Sequence, residues 1–499
     1  MDLLFQGMVN VFQPEVIALV IAGVIVGIII GALPGLTATM GVALFLPFTF
    51  GMEPTTGVLL LIGVYFGSIY GGSISAILLN TPGTPASAAT AIDGFQLTKQ
   101  GKAGKALGIS AIASGVGGLI SVLMLVLIAP QLAEVALNFS APEMFGLALF
   151  GLSIISSISG GSVLKGLIAG VFGLLISTIG MDPMTSFPRF TYDQLSLLNG
   201  LSFIPVMIGL FAVSEALVIM EEQLAGEKGI GKVIASYVLP KWNELKTLWV
   251  SIFRSGLIGT FIGIIPGAGA DIAAFVSYNE AKRFAKKEEK ETFGKGNKKA
   301  IASAEAANNG VTGGAMVPLL TLGIPGDAVT AILLGALVVQ GVQPGPQLFE
   351  TSGELVYTLF AGMIVANILM VAFGLSGIRL FTKILMVPKN ILGPIILVLS
   401  TVGAYAISNN FFDVYTMLGA GIIGYFMKKY GFPASPIVLA LILGPMAESE
   451  LRRSLVMSEG SYSIFFERPI ALVFIIISIL SLVLPLVWSR LKKNKTAAQ

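Results

Sequence analysis

The chain has neither cysteine nor histidine among its 499 residues. Disulfides, thiolate catalysis and cysteine metal sites are thereby excluded. Losing histidine removes the commonest metal ligand and the usual near-neutral proton carrier, so any proton relay must use Asp or Glu. Charge is scarce too: 11% of residues are Asp, Glu, Lys or Arg, against about 25% in a typical soluble domain. The net charge of +3 is small, and no basic stripe is interleaved with aromatics, so nucleic-acid binding has no support. The opening MDLLFQG lacks the basic segment of a secretory signal. It resembles the scar of a protease site from an expression tag, and residues 1–7 are left out of the fold argument.

What is abundant is apolar: 55% of residues are hydrophobic and the mean hydropathy is +0.88. Runs at or near membrane-spanning length recur at Val16–Ile30, Gly115–Ala129, Leu359–Gly374 and Ile470–Val487. Runs this long exclude a β-barrel and predict an all-α polytopic membrane protein. At roughly 20 residues per crossing there is room for about a dozen segments.

The two halves of the chain answer each other. GIIIGALPGLTA at 27–38 resembles GTFIGIIPGAGA at 259–270, with Pro34 opposite Pro266. The stretch 71–92 resembles 313–334, with Pro82 opposite Pro325 after a one-residue shift, and 169–183 resembles 420–433. This order predicts repeat 1 over 8–220, a linker over 221–247, repeat 2 over 248–450, and a C-terminal helix with a basic cytoplasmic tail over 451–499. The mixed charge of the linker reads as a solvated connector.

Loop charges set the relative orientation, because basic loops stay on the cytoplasmic side. After the first break the loop of half one carries Glu53 and no base, whereas its counterpart 282–299 is crowded with lysine. Following the second break the pattern reverses: Lys99, Lys102 and Lys105 stand against Glu350 and Glu354. Glu134 and Glu143 then stand against Arg379, Lys383 and Lys389. Such alternation predicts inverted repeats, with 99–105, 282–299, 379–389, 428–429 and Arg490–Lys495 on the cytoplasmic side.

Four Pro-Gly breaks interrupt these apolar runs: Leu33-Pro34-Gly35, Asn80-Thr81-Pro82-Gly83-Thr84-Pro85, Ile265-Pro266-Gly267-Ala268-Gly269 and Gly323-Ile324-Pro325-Gly326-Asp327. Proline removes a donor and glycine accepts left-handed angles, so each break ends one half-helix and starts another. The new helix N-terminus favours anions. Thr37, Thr39, Thr81, Thr84, Thr330 and, less well placed, Thr321 stand beside the breaks with hydroxyls for a carboxylate or a cation. A lone Pro-Gly pair is more often a surface turn. Four at matched positions point instead to a site near the membrane midplane, as in inverted-repeat transporters.

Polar side chains near the breaks extend that site. Glu305, Asn308 and Asn309 share one helical face, either as a polar helix end leaving the cytoplasmic loop or, for the asparagines, as carboxylate or sodium ligands. Asp327, Asp93 and Asp271 each stand close to a break, and an acid inside a membrane segment is a functional candidate. Capping is the alternative for Asp327, and a structural role is favoured for Asp93 and Asp271.

These stretches, together with GKAGKALG and LGIPGDAVTAILLGALVVQGVQPGP, resemble the large membrane subunit of the tripartite tricarboxylate transporters over roughly residues 15–450. The resemblance implies import of citrate or related carboxylates across a bacterial inner membrane by ion-coupled secondary transport. It further implies a small four-helix membrane subunit, a periplasmic substrate-binding protein and an elevator-type movement of the break-bearing domain. Site residues carry over at Pro34, Gly35, Thr37, Thr39, Asn80, Thr81, Pro82, Gly83, Thr84, Gly267, Ala268, Gly269, Asn308, Asn309, Pro325 and Gly326. Asp327, Asn308 and Asp271 are the coupling-ion candidates; Asp327 stands where a serine is common in that family. No cofactor is expected, and the coupling ion is Na+ or H+. Competing readings are an anion-conducting channel or passive pore, an intramembrane enzyme with only Ser/Lys or Asp/Asp chemistry available, and a non-transporting scaffold.

Overall fold

The structure is a computed structural model that describes residues 2–33, 35–153, 162–224, 238–378, 380 and 389–496, with backbone only for 389–390 and 483–496. It is helical almost throughout. In chain order the main helices begin with α1 (Asp2–Val11), α2 (Pro14–Ala32), α3 (Ala38–Phe45), α4 (Pro54–Leu79), α5 (Ser87–Lys99) and α6 (Ala103–Ala136). Next come α7 (Ala141–Ser153), α8 (Val163–Ser177) and α9, which runs from Phe203–Ile208 through a π turn into Ser214–Leu224. The order continues with α10 (Trp249–Ile264), α11 (Gly269–Phe284), α12 (Lys298–Leu322), α13 (Ala328–Val339) and α14 (Gly353–Ser376). It ends with α15 (Lys389–Ser408), α16 (Phe411–Lys429), α17 (Ser435–Met457) and α18 (Pro469–Thr496). Among the described residues, six helical stretches are long and apolar enough to cross a membrane: α2, α4, α6, Phe203–Gln223, α14 and Ile391–Ser408. The chain is a multi-pass α-helical membrane protein.

Two compact units form, each using chain from both ends of the sequence. The first takes Met1–Ala133 and Glu215–Ile407, the second Glu134–Ser214 and Ser408–Gln499.

Glycine rows build the first unit. Gly23, Gly27 and Gly31 on α2 face Gly63, Gly67 and Gly71 on α4 so closely that a methyl at Gly27 would strike the Val64 carbonyl and one at Gly67 the Val24 carbonyl. Small residues at four-residue spacing permit this approach between membrane helices, where no hydrophobic drive separates lipid from protein. The same device joins α10 to α12: Gly259 lies on the Ala307 carbonyl, Gly263 on Val311 and Gly314 on the Thr260 carbonyl. The helices that follow the second and fourth breaks then cross over, α5 packing on α11 and α12, and α13 on α3 and α4.

The lysine-rich loops 99–105 and 282–299 meet at one end of this unit, where Gln100 Nε2 donates to Lys295 O at 2.9 Å. Helix α4 ends there, with Thr98 Oγ1 donating to Ile77 O at 2.7 Å, and α12 begins there beside Asn297. The described linker residues 238–247 are mostly exposed and are tied to this end through Glu244. Glu244 bonds Lys105 at 3.1 Å and Lys298 at 2.5 Å. At the N-terminus, α1 lies on α14, with Gly7 against the Tyr357 backbone and Asn10 Nδ2 on Glu354 Oε1 at 3.0 Å. Arg379 and 381–388, which the charge argument used, lie outside the described residues.

In the second unit a short ribbon pairs Gly180–Met181 with Pro188–Arg189. Arg189 and Arg452 both bridge Asp182 and Glu448, fastening this ribbon to α17.

Both helix contacts and linker dock are testable. Adding a methyl at Gly27 or Gly259 is expected to cost about 1–3 kcal/mol and to lower the thermal unfolding midpoint. Gly353→Ala, at a site with open space, is expected to leave it unchanged, and equal midpoints for all three variants would refute the close packing. The hydrogen bond from Lys298, the Lys241 amide and Lys105 together hold the Glu244 carboxyl down at about 2. A depressed carboxyl stabilises the fold above its ordinary value and loses that contribution as pH falls through the folded one. The stability difference between the wild type and Glu244→Gln should therefore be level at neutral pH and close between 4.5 and about 2. A difference independent of pH would contradict the dock.

Candidate functional site

Each half of the first unit brings its two breaks together. In half one the chain leaves α4 at Asn80, which takes a left-handed turn with φ 57°, and doubles back into the unit. Gly83 N donates to Gly72 O at 3.2 Å, and a methyl on Gly83 would strike the Gly31 carbonyl at the end of α2. In half two Gly326 returns in the same way to Ala315, and its carbonyl accepts from Gly267 N at 2.7 Å. The third break is thus tied to the fourth by backbone.

Matching reciprocal bonds stand at the turn before α5 and at the start of α13. Thr84 and Ser87 bond reciprocally: Thr84 N donates to Ser87 Oγ at 3.2 Å, and Ser87 Oγ donates to Thr84 O at 2.7 Å. Asp327 and Thr330 repeat the arrangement, with Thr330 N donating to Asp327 Oδ1 at 2.7 Å and Asp327 N to Thr330 Oγ1 at 2.8 Å. At the first break Thr37 Oγ1 caps α3 by accepting from Met40 N at 3.3 Å. Such caps meet backbone donors that a broken helix would leave unpaired.

Not every residue singled out from sequence reaches this interior. Gly83 and Thr84 are buried, whereas Asn80, Thr81 and Pro82 are exposed at the end of α4. Gly35 is exposed, Thr37 and Thr39 are partly so, and Pro34 lies outside the described residues. Gly267, Pro325 and Gly326 are buried; Ala268 and Gly269 are half-covered. Asp271 is exposed on α11, and among the described residues it makes no hydrogen bond or ion pair. Thr321 turns its hydroxyl back to Val317 O at 2.7 Å.

The buried polar groups differ in how they are met. Asp93, fully buried, accepts from the amides of Gly294, Gly296 and Asn297 and from Tyr278 Oη, at 2.6–3.0 Å. It clamps the loop that precedes α12, a structural task. Asp327 caps α13 and also accepts from Tyr65 Oη at 2.7 Å, so the capping alternative is realised and both its oxygens are engaged. Asn309 spends its amide on Glu305 O at 3.3 Å. Asn308 is fully buried, and among the described residues neither its Oδ1 nor its Nδ2 has a partner. An orphaned buried amide costs about 1–3 kcal/mol, and in native structures such a group calls for an explanation.

Glu305 is no helix end leaving a loop. It is fully buried within α12 and ringed by hydroxyls from three other helices. Ser73 on α4 donates at 2.6 Å, Ser110 and Ser114 on α6 at 3.1 and 2.8 Å, and Thr90 on α5 completes the ring. Sequence reasoning passed over all four hydroxyls; the four-residue spacing of Ser110 and Ser114 was the one local sign. Among the described residues no three carboxylates gather as a metal site, so a cation here would rely on hydroxyl, amide and carbonyl oxygens. A cavity in the second unit, lined by Phe172, Ile176, Val206, Leu210 and Ile437, is too apolar to orient a carboxylate.

No solved structure matches the chain. Its relatives include an uncharacterized 52.8 kDa protein from the TAR-I ttuC' 3' region of Agrobacterium vitis, 38% identical over 464 residues, covering 93% of this chain and 92% of that protein. Another, from the TAR-II ttuC' 3' region of the same organism, is 38% identical over 213 residues, covering 43% of this chain and 87% of that protein. The family pattern matches residues 17–439, a span that takes in all four breaks, Glu305 and Asn308. The chain belongs to the tripartite tricarboxylate transporter TctA family.

Proposed function

We propose that this chain is the large membrane subunit of a secondary active transporter that imports carboxylates such as citrate or related organic acids across a bacterial inner membrane, driven by an ion gradient. The family's tripartite character supports two partners, a small four-helix membrane subunit and a periplasmic substrate-binding protein. It also supports a transporter that performs no chemistry on its cargo.

One observation carries the site: Asn308, deep in the first unit, has neither polar atom satisfied. An amide donates from its nitrogen and accepts at its oxygen, so it suits a carboxylate and the cation travelling with it. Gly83, Thr84 and Gly267 lie buried at the second and third breaks of the same unit, where helix N-termini favour the anion.

Inverted repeats are supported by the matched glycine contacts and by the reciprocal caps at Thr84–Ser87 and Asp327–Thr330. They are supported further by direction: α4 ends, and α12 begins, at the lysine-rich end. All four breaks belong to one compact unit, as a site carried bodily in an elevator-type movement requires. The lysine-rich end is the cytoplasmic one on this reading.

The deciding experiment is uptake of labelled citrate and other carboxylates into proteoliposomes holding the membrane subunits and a candidate binding protein, under separately imposed sodium and proton gradients. Gradient-driven accumulation is expected, and equilibration indifferent to the gradient would favour a passive pore. Asn308→Ala is expected to weaken apparent substrate affinity about tenfold or more with no loss of thermal stability, since it breaks no bond among the described residues. Normal affinity in that variant would remove Asn308 from the site.

A further inference from the structure

Among the described residues Glu305 has no counter-ion, although an ionised carboxylate inside a membrane protein is ordinarily paired. Its four partners are all hydroxyls, two on each oxygen: Ser73 and Thr90 on Oε1, Ser110 and Ser114 on Oε2. A hydroxyl is both donor and acceptor and rotates to suit. With the carboxylate ionised, all four donate to it. Once one oxygen takes up a proton, a single hydroxyl beside that oxygen turns and accepts, and no backbone atom has to move. The same ring therefore fits both states. Oxygen–oxygen separations of 2.6–3.1 Å for the three serines are hydrogen-bond lengths, so these hydroxyls bond the carboxylate directly.

The neighbouring titratable groups are otherwise occupied. On α4, Tyr70 donates to Gly374 O at 3.4 Å. On α5, Asp93 is held by Tyr278 and the 294–297 amides. Lys105, at the start of α6, and Lys298, at the start of α12, are bound to Glu244, while Lys299 is paired with Glu289. On α10, Arg254 stacks over Phe284, and Asp271 on α11 is exposed.

We propose that Glu305, within its ring of Ser73, Thr90, Ser110 and Ser114, is a reversible proton-binding site and the point at which the carrier couples to a proton gradient. The coupling half of this statement rests on the transport reading above; the proton-binding half stands alone. A proton enters from water, binds one carboxyl oxygen, and leaves unchanged on the other side, so nothing is oxidised or reduced.

Infrared difference spectroscopy of the full chain in lipid bilayers tests the binding directly. As pH is lowered, a protonated-carboxyl band is expected in the wild type and is expected to be missing from Glu305→Gln. Ser114→Ala removes a donor to the ionised form, so its band should appear at higher pH; this arm decides the matter even if Glu305→Gln fails to fold. No titrating band, or one that persists in Glu305→Gln, overturns the site. A band erased by sodium alone at fixed pH makes the ring a cation site and overturns it as well. In proteoliposomes a one-unit pH gradient supports about tenfold accumulation per coupled proton, and Glu305→Gln is expected to lose that accumulation while retaining exchange of labelled for unlabelled substrate. Proton-driven accumulation at the wild-type level in Glu305→Gln overturns the coupling role. A titrating band without uptake of any carboxylate would sink the transport reading and leave the proton site standing.

Discussion

Backbone that leaves a helix within an apolar membrane has no water to bond, so its N–H and C=O groups must be met by protein. The first unit meets them by bringing main chain onto main chain. Because α2 and α4 touch at glycine, Gly83 can fold back between them and bond Gly72 O at 3.2 Å. The matching contact of α10 with α12 leaves room for Gly326 beside Ala315, where its carbonyl receives the Gly267 amide. A side chain on either helix would hold the rods apart and leave the broken segments without partners. The glycine rows and the Pro-Gly breaks are thus one device: the first creates the narrow space that makes the second tolerable.

Inside that frame two buried carboxylates and one partly buried one are stabilised in three chemically distinct ways. Asp93 is held mainly by the backbone amides of Gly294, Gly296 and Asn297, which fix the loop that precedes α12. Asp327 divides its oxygens between a helix cap and the Tyr65 phenol, which ties the fourth break to the middle of α4. Glu305 is ringed by hydroxyls, which donate and accept with equal ease. Two of these acids therefore hold elements in place, and the third alone is met by side-chain hydroxyls on both oxygens.

The sequence made plain whatever was local or periodic. Pro-Gly pairs marked the breaks, and the four long apolar runs lie within α2, α6, α14 and α18. Depth was harder to read. Glu305 stands only a few residues beyond Lys298 and Lys299, which made it resemble a helix end. At about 1.5 Å per residue, though, two turns of α12 carry it well into the protein. The stretch Asn80–Pro85 looked like one polar tip, but the chain turns left-handed at Asn80 and folds back on Gly72, so Asn80 and Thr81 remain outside while Gly83 and Thr84 are buried. No spacing rule joins Ser73, Thr90, Ser110 and Ser114, which lie on three helices and become neighbours only when α5 crosses to α12.

The two halves also differ where their matching geometry would permit sameness. Tyr65 stands two residues before Gly67, as Asn308 stands two before Gly310, and both glycines serve the same kind of helix contact. Tyrosine is long enough to reach Asp327 and complete its bonding. Asparagine in the corresponding place is shorter, and among the described residues it finds no partner. The tyrosine of the first half therefore bonds a carboxylate of the second, whereas the asparagine of the second half leaves a donor and an acceptor unused among the described residues. On the inverted-repeat reading proposed above, unequal chemistry at equivalent positions would offer one binding site instead of two. A carrier that moves a single substrate from side to side needs this inequality, because two equal sites would compete for the same cargo.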